Sequence, residues 1–380
     1  MHKHGILVLL LTVAGLIALG MVMLFSTSAF AVDRHGDIYF FVKRQGMWLA
    51  IGLVVAVVAA CVDYHRWEQT WWLWLSGAFI LLLLCFVPHV GLRINGSSRW
   101  INIGVGVLQP SELAKIGAII FLAWWYSKYE KQSRTFLRGF IFPLAVIGVL
   151  LVPIALEVDL GNTALIGATA LAMMFIAGAS VWWILLMVGA GLGGVIFIAM
   201  NIDERHQRIL AFLNPEQYRL GEGLQQWQAL IAFGSGGIDG LGLGEGRQKM
   251  LYLPYAHTDF IFPMIGEELG LKFTLLTVAG YLLVCLCGSL VAANARDRFG
   301  LLLGIGSVMM ISLQAAVNIG VTTSLLPNKG MPLPFISYGG SNLMVCLFLI
   351  RLLVNIHRHG KPLVPRFSQA LLRANPQPRL

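Results

Sequence analysis

Residues 259–292 read DFIFPMIGEELGLKFTLLTVAGYLLVCLCGSLVA. From Phe273 to Ala292 this stretch carries no charge, and it is long enough to cross a bilayer as a helix, which takes roughly 20 residues. Its first part is different. Asp259, Glu267 and Glu268 sit among Phe, Ile, Met and Gly. Pro263 cannot donate to the carbonyl of Asp259, and its ring would crowd that carbonyl. The regular helix is therefore expected to begin near Phe262 and Pro263. Asp259 then lies just ahead of it, under the positive end of the helix dipole. A carboxylate there, unpaired in local sequence, is a candidate general base. Glu267 and Glu268 point about 100° apart on a helix and cannot share one role. They are expected as structural supports, at least one of them paired with a cation such as Lys115.

Similar runs recur along the chain, at about 5–31, 45–62, 70–90, 109–126, 140–157, 160–179, 181–200, 259–292, 300–326 and 341–358. The composition agrees: 57% hydrophobic, 12% charged, mean hydropathy +0.76. An all-α integral membrane protein of about ten transmembrane helices is expected, one polytopic domain over 1–360 with a tail over 361–380. The first run has Lys3 before it and Ala29-Phe30-Ala31 after it, as a secretory signal would. It is longer than a signal core, so an uncleaved first helix is expected. Cys61, Cys85, Cys285, Cys287 and Cys346 all fall in apolar runs and read as packing residues.

A net charge of +9 on such a chain bears on sidedness rather than on nucleic acid. With ten spans and cytoplasmic termini, the positive surplus falls on the cytoplasmic side, chiefly in the loop at 127–139 and in the tail. The long polar stretches 91–108, 201–258 and 326–340 then all face outward. Any chemistry is expected on that outer face.

In the first of these, Asn95-Gly96 is a tight-turn signal, and a small β-hairpin would hold Arg93 and Arg99 where phosphate can reach them. Next comes QPSELAK, residues 109–115, with Pro110 fitting the first position of a helix. Glu112 falls in the first turn and Lys115 three residues on, within pairing reach. Buried charges at a membrane helix are functional by default, or lock two helices together. Glu157 and Asp159 flank a short turn, where polar residues are ordinary. The loop at 234–249 is dense in glycine and ends at Arg247 and Lys249. It lacks the Walker spacing, but exposed amides with two cations would suit a diphosphate. In LLPNKGMPLPFISYGGSN, residues 325–342, three prolines forbid a continuous helix. Irregular backbone this apolar must adjoin protein or a cavity, and Gln314 and Asn318 would line the same side.

The motifs GSSRWINIG, QPSELAK, DLGNT, HTDFIF, GEELGL and LPNKGMPLPFISYGGSN, in this order, resemble the SEDS proteins (FtsW, RodA and SpoVE), with YFFVKRQGMW and NKG more similar to the FtsW branch than to RodA. The resemblance covers nearly the whole chain. It implies peptidoglycan glycosyltransfer: polymerisation of lipid II at the outer face of the bacterial cytoplasmic membrane, beside a class B penicillin-binding transpeptidase and other divisome or elongation proteins. It implies that Asp259 is the essential carboxylate and that Glu112 and Lys115 line a central cavity. Substrate-binding candidates are Arg93, Arg99, Glu112, Lys115, Arg247, Lys249, Gln314, Asn318, Ser337 and Ser341. A divalent cation, Mg or Mn, is a further expectation. Tyr255 stands where the family usually has glutamate. The rival readings are a lipid II flippase, a polymerase of the elongation type and a non-catalytic scaffold.

Overall fold

The computed structural model describes residues 2–28, 37–94, 97–104, 106–201, 203–250 and 252–359. The expected turn at Asn95-Gly96, the Ala29-Phe30-Ala31 stretch and the tail from 361 lie outside them. In chain order the helices are α1 (His2–Ser28), α2 (Phe40–Cys61), α3 (His65–Gln69), α4 (Trp71–Leu84), α5 (Pro110–Lys128), α6 (Phe142–Leu156), α7 (Leu160–Ile176), α8 (Val181–Asn201), α9 (Asp203–Leu213), α10 (Leu224–Gly236), α11 (Ile261–Ala293), α12 (Arg298–Thr322) and α13 (Gly340–His359). Between α4 and α5 lies a small antiparallel sheet of β1 (Gly91–Ile94), β2 (Ser97–Asn102) and β3 (Val107–Leu108), in the order β1-β2-β3.

By length and composition, six helices among the described residues can cross a membrane: Gly5–Ser28, Phe40–Cys61, Leu137–Leu156, Ile261–Ala293, Arg298–Thr322 and Gly340–His359. Shorter apolar helices cover Trp71–Leu84, Leu160–Ile176 and Val181–Gly191. The chain is a multi-pass membrane protein. Leu53, Val57, Leu186, Leu275 and Leu286, all exposed, form the outward apolar surface expected of such a bundle.

At the centre stands α5, buried on almost every side. Gly117 lets α4 approach closely: a Cβ there would lie 3.0 Å from the Trp74 carbonyl. Around α5 pack α4, α7, α12 and α13, while α11 joins α12 on one side and α1 on the other. Helix α13 lies chiefly against α2. Their contact is close, since a Cβ at Gly340 would fall 2.3 Å from the Trp48 ring.

Helix α11 begins at Ile261, with Pro263 in its first turn, as the sequence requires. It breaks at Gly270, where φ is +75°. A break inside a bundle frees backbone groups that need new partners. The glycine-rich stretch supplies them. Leu241 N–H donates to the Glu267 carbonyl at 2.9 Å, Gly242 N–H to that of Glu268 at 3.0 Å, and Leu271 N–H to that of Gly237 at 2.9 Å. Only glycines permit this approach, because a Cβ at Gly240 would meet the Glu268 carbonyl oxygen at 2.3 Å.

Two expectations about charged partners are corrected here. Lys115 pairs with Glu112 at 2.7 Å, not with Glu267 or Glu268. The cation on Glu268 is Lys249, at 2.6 Å, and both side chains are about 1% exposed or less. Ser26 of α1 also donates to Glu268, and Gly244 N–H reaches its Oε2 at 3.0 Å. Glu267 accepts from the backbone N–H groups of Arg247 and Gln248. The glycine loop is indeed an anion cradle, but it is filled by the protein's own carboxylates. That occupation is the physical reason it does not present an open diphosphate site.

Candidate active site

The chain's stretches at 91–109, 157–163, 253–260 and 328–342 meet at one end of the bundle around a cavity of about 320 Å³. Asp259 lies in its wall. Facing it are Arg99 and Trp100 from β2, Gln109 at the start of α5, Asp159 and Asn162 at the start of α7, Arg44 of α2, and Gly330. The mixture of aromatic, cationic and carboxylate groups suits a sugar bearing a phosphate.

Local geometry presents Asp259 as expected. Tyr255 adopts φ +60°, and its carbonyl accepts from the N–H groups of Thr258 and Phe260. This turn sets Asp259 one residue before Phe260, the residue that precedes the first turn of α11. The α11 N-terminus takes no side-chain cap, so Asp259 is not a capping residue. Asn318 Nδ2 holds the Asp259 backbone carbonyl at 2.8 Å and the Met331 carbonyl at 2.6 Å. Gln314 Nε2 holds the Pro332 carbonyl at 2.8 Å. These two side chains therefore fix the proline-rich wall against the Asp259 turn.

Burial raises the Asp259 carboxyl to about 6; the Arg99 guanidinium lowers it and Asp159 raises it. A carboxylate of that strength is ionised at neutral pH and a better proton acceptor than an ordinary aspartate. His257, two residues away, is pushed down to about 4 by burial and stays neutral. Its ring packs against Phe41, with centroids 4.4 Å apart.

Asp159 caps α7 and organises the opposite wall. Its Oδ2 accepts from Gln109 Nε2 at 2.9 Å, Ser111 Oγ at 3.1 Å and Asn162 Nδ2 at 2.8 Å. Arg99 Nη1 stands 4.0 Å from its Oδ1, and Arg99 Nε is buried without a protein partner. Beneath this wall, Glu112 and Lys115 form a buried pair closed by Asn342 Nδ2 on Glu112 at 3.0 Å and Gln314 Oε1 on Lys115 at 2.8 Å. They support the cavity from below rather than lining it.

Of the other expected substrate-binding residues, Arg99 and Ser341 line the cavity. Ser341 Oγ accepts from Gln109 N–H at 3.1 Å. Ser337 braces backbone, donating to the Thr258 carbonyl. Arg93 and Arg247 are exposed and outside the cavity lining, and Lys249 is locked on Glu268. Sequence reasoning passed over Arg44, Gln109 and Asp159 as site residues, although each sits inside a motif quoted above. It also passed over Trp48 and Trp100.

Among the described residues, no group of three or more His, Cys, Asp or Glu side chains is placed to hold an ion. Asp159 already serves three neutral donors, which leaves Asp259 as the one uncommitted carboxylate of the described lining.

The profile of the FtsW/RodA/SpoVE family, described as cell cycle protein, matches residues 7–362. The chain belongs to this family. A probable peptidoglycan glycosyltransferase FtsW of Geobacter metallireducens is 43% identical over 361 residues, covering 95% of this chain and 96% of that one. The stage V sporulation protein E of Bacillus subtilis is 37% identical, covering 91% and 95%. Among solved structures, a chain of a peptidoglycan synthase complex that coordinates polymerisation and crosslinking is similar at TM-score 0.76 and 26% identity, covering 92% of this chain and 96% of that one. The rod shape determining protein RodA of Thermus thermophilus is similar at TM-score 0.69 and 25% identity, covering 93% and 97%. Within the FtsW/RodA/SpoVE family, the Asp259 cavity is thus set in a fold already seen in a peptidoglycan synthase.

Proposed function

We propose that the chain is a peptidoglycan glycosyltransferase that polymerises lipid II at the outer face of the cytoplasmic membrane. Asp259 acts as general base. The acceptor's 4-hydroxyl attacks the anomeric carbon of the donor sugar, Asp259 takes the hydroxyl proton, and the polyprenyl diphosphate leaves with the bonding pair. The α linkage becomes β. Arg99 and Arg44 are the cations of the cavity wall, suited to the charge that develops on the departing diphosphate.

The observation that carries this reading is the Asp259 carboxylate itself. It faces a cavity shared with Arg99, and its hydrogen bonding among the described residues runs through its backbone carbonyl. The positive-inside pattern supports placing the cavity outside and the termini in the cytoplasm. The similarity to a chain of a peptidoglycan synthase complex supports a class B penicillin-binding transpeptidase as partner. Relatives bearing the FtsW name support a division role over an elongation role.

The test is to purify the protein with its transpeptidase partner and supply labelled lipid II. Polymer from the unaltered protein and none from Asp259→Ala is the expected result. Equal polymer from both would sink the assignment of Asp259. Lipid movement across a vesicle bilayer without polymer would replace the reading with a flippase.

A further inference from the structure

Glu157 is 2% exposed, and its carboxyl oxygens have no nitrogen or oxygen hydrogen-bond partner among the described residues, only the weak Cys85 thiol beside them. A buried, unsatisfied carboxyl is costly, and the polymerisation step above gives it no task. It lies just past the end of α6, beside Cys85 at the end of α4.

Directly below it, α4 and α6 enclose a second hollow of about 410 Å³. Phe79, Leu83 and Phe86 line one side, Val149, Val152 and Leu156 the other. The lining is apolar throughout and opens outward. The chain then runs from Leu156, in this groove, through Glu157 to Asp159, in the wall of the Asp259 cavity. Only two residues, Glu157 and Val158, thus separate the groove from the cavity along the backbone, with Glu157 at the crossing. Helix α4 has 14 residues, about 21 Å at 1.5 Å per residue, against about 30 Å of bilayer hydrocarbon. A short helix thins the membrane beside it, which brings the headgroup level down to Cys85 and Glu157.

We propose that the groove between α4 and α6 seats the polyprenyl tail of the lipid-linked donor, and that Glu157 is the polar contact at which its diphosphate turns inward toward Arg99. This rests on the glycosyltransferase reading above. The occupant follows from the two ends: an apolar slot at membrane depth at one, a guanidinium with a buried free Nε at the other. A molecule that satisfies both has a hydrocarbon tail joined to a compact polyanion.

The groups facing Glu157 are the Cys85 thiol at the end of α4, the Arg99 guanidinium on β2 and the Asp159 carboxylate in the turn into α7. Burial pushes the Glu157 carboxyl up to about 8; Cys85 and Arg99 lower it and Asp159 raises it. At neutral pH it is a carboxylic acid, able to donate its proton in a hydrogen bond to a phosphate oxygen. Above about pH 8 it becomes an anion beside an anion. If only the acid form binds donor, KM rises up to about tenfold between pH 7 and pH 9.

The test uses the full chain in lipid nanodiscs with a polyprenyl diphosphate carrying a photoreactive diazirine in its first isoprene units. Crosslinks are expected on α4 and α6. They should be displaced by unlabelled polyprenyl diphosphate but not by excess phospholipid, and lost in Val152→Trp, which fills the groove. Val152→Trp should also raise KM for lipid II more than it lowers kcat. In Glu157→Gln the rise in KM from pH 7 to pH 9 should vanish. Crosslinks displaced equally by phospholipid would overturn the proposal, as would an unchanged pH dependence of KM in Glu157→Gln. Polymer formed with no labelling of α4 or α6 overturns the groove and leaves the polymerase reading intact. Competed labelling in a protein that makes no polymer does the reverse.

Discussion

Gly330 lies against Asp259: a Cβ built on Gly330 would come within 2.6 Å of Asp259 Oδ2. The obstacle is the far end of a side chain, so Gly330→Ala is expected to fold. The methyl group instead pushes the carboxylate off its position. A misplaced base loses much of its advantage, since such reactions depend on reacting atoms about 3–3.5 Å apart. The expected outcome is a fall in kcat of at least about tenfold, with thermal unfolding close to that of the unaltered protein.

The pH profile follows from the raised Asp259 carboxyl, at about 6. A general base works in its ionised form, so kcat should climb as pH rises through about 6 and level off above it, while kcat/KM falls again as Glu157 ionises near 8. An ordinary aspartate, near 3.9, would have levelled off by about pH 5. His257 titrates near 4 and stays neutral across this window. Initial rates of polymerisation from pH 5 to pH 8 measure the limb. Asp259→Asn should lower the plateau by about 100-fold or more.

Arg99 should move that limb. Its charge lowers the Asp259 carboxyl against burial and Asp159. Removing the charge in Arg99→Gln leaves the two raising effects unopposed. The midpoint of the acid limb is then expected above 6, along with weaker donor binding. An unmoved midpoint would show that Arg99 does not act on the base.

The Lys249–Glu268 pair predicts a stability effect of a different kind. Each side chain is buried, and they meet at 2.6 Å. Removing one partner leaves an uncompensated buried charge, at a cost of roughly 3–5 kcal/mol. Lys249→Met and Glu268→Met should each lower the unfolding midpoint in detergent sharply. The double substitution should recover part of the loss, because apolar replacement of a whole buried pair is often neutral.

The parts of this molecule that were legible in sequence are those set by local chemistry. Pro263 placed the start of α11, and Pro110 that of α5. The three-residue spacing of Glu112 and Lys115 made their pairing readable. Gln314 and Asn318, four apart on α12, do face the proline-rich segment. What was not legible depends on distant segments meeting. The partner of Glu268 lies 19 residues before it, in a loop whose glycines read as exposed amides for a diphosphate. Those glycines are instead a shape requirement, imposed by the break at Gly270. Arg44 gave no local sign of its place, because it reaches the cavity from a helix that touches the rest of the site only through tertiary packing. Helices α9 and α10 lie inside 201–258, a stretch whose polar composition marks it only as an outward-facing loop.

The pairing of α2 with α13 has a consequence for how the protein is made. Gln45 donates to the Ser337 carbonyl and accepts from Gly339 N–H, across 292 residues in the first case. Ribosomes deliver α2 well before α13. Until residues 337–342 are in place, Gln45 lacks these two backbone partners and the cavity lacks the wall formed by Gly339 to Asn342. The cavity is therefore incomplete until this late segment has been made. Messages cut short before residue 337 should yield products without a working cavity.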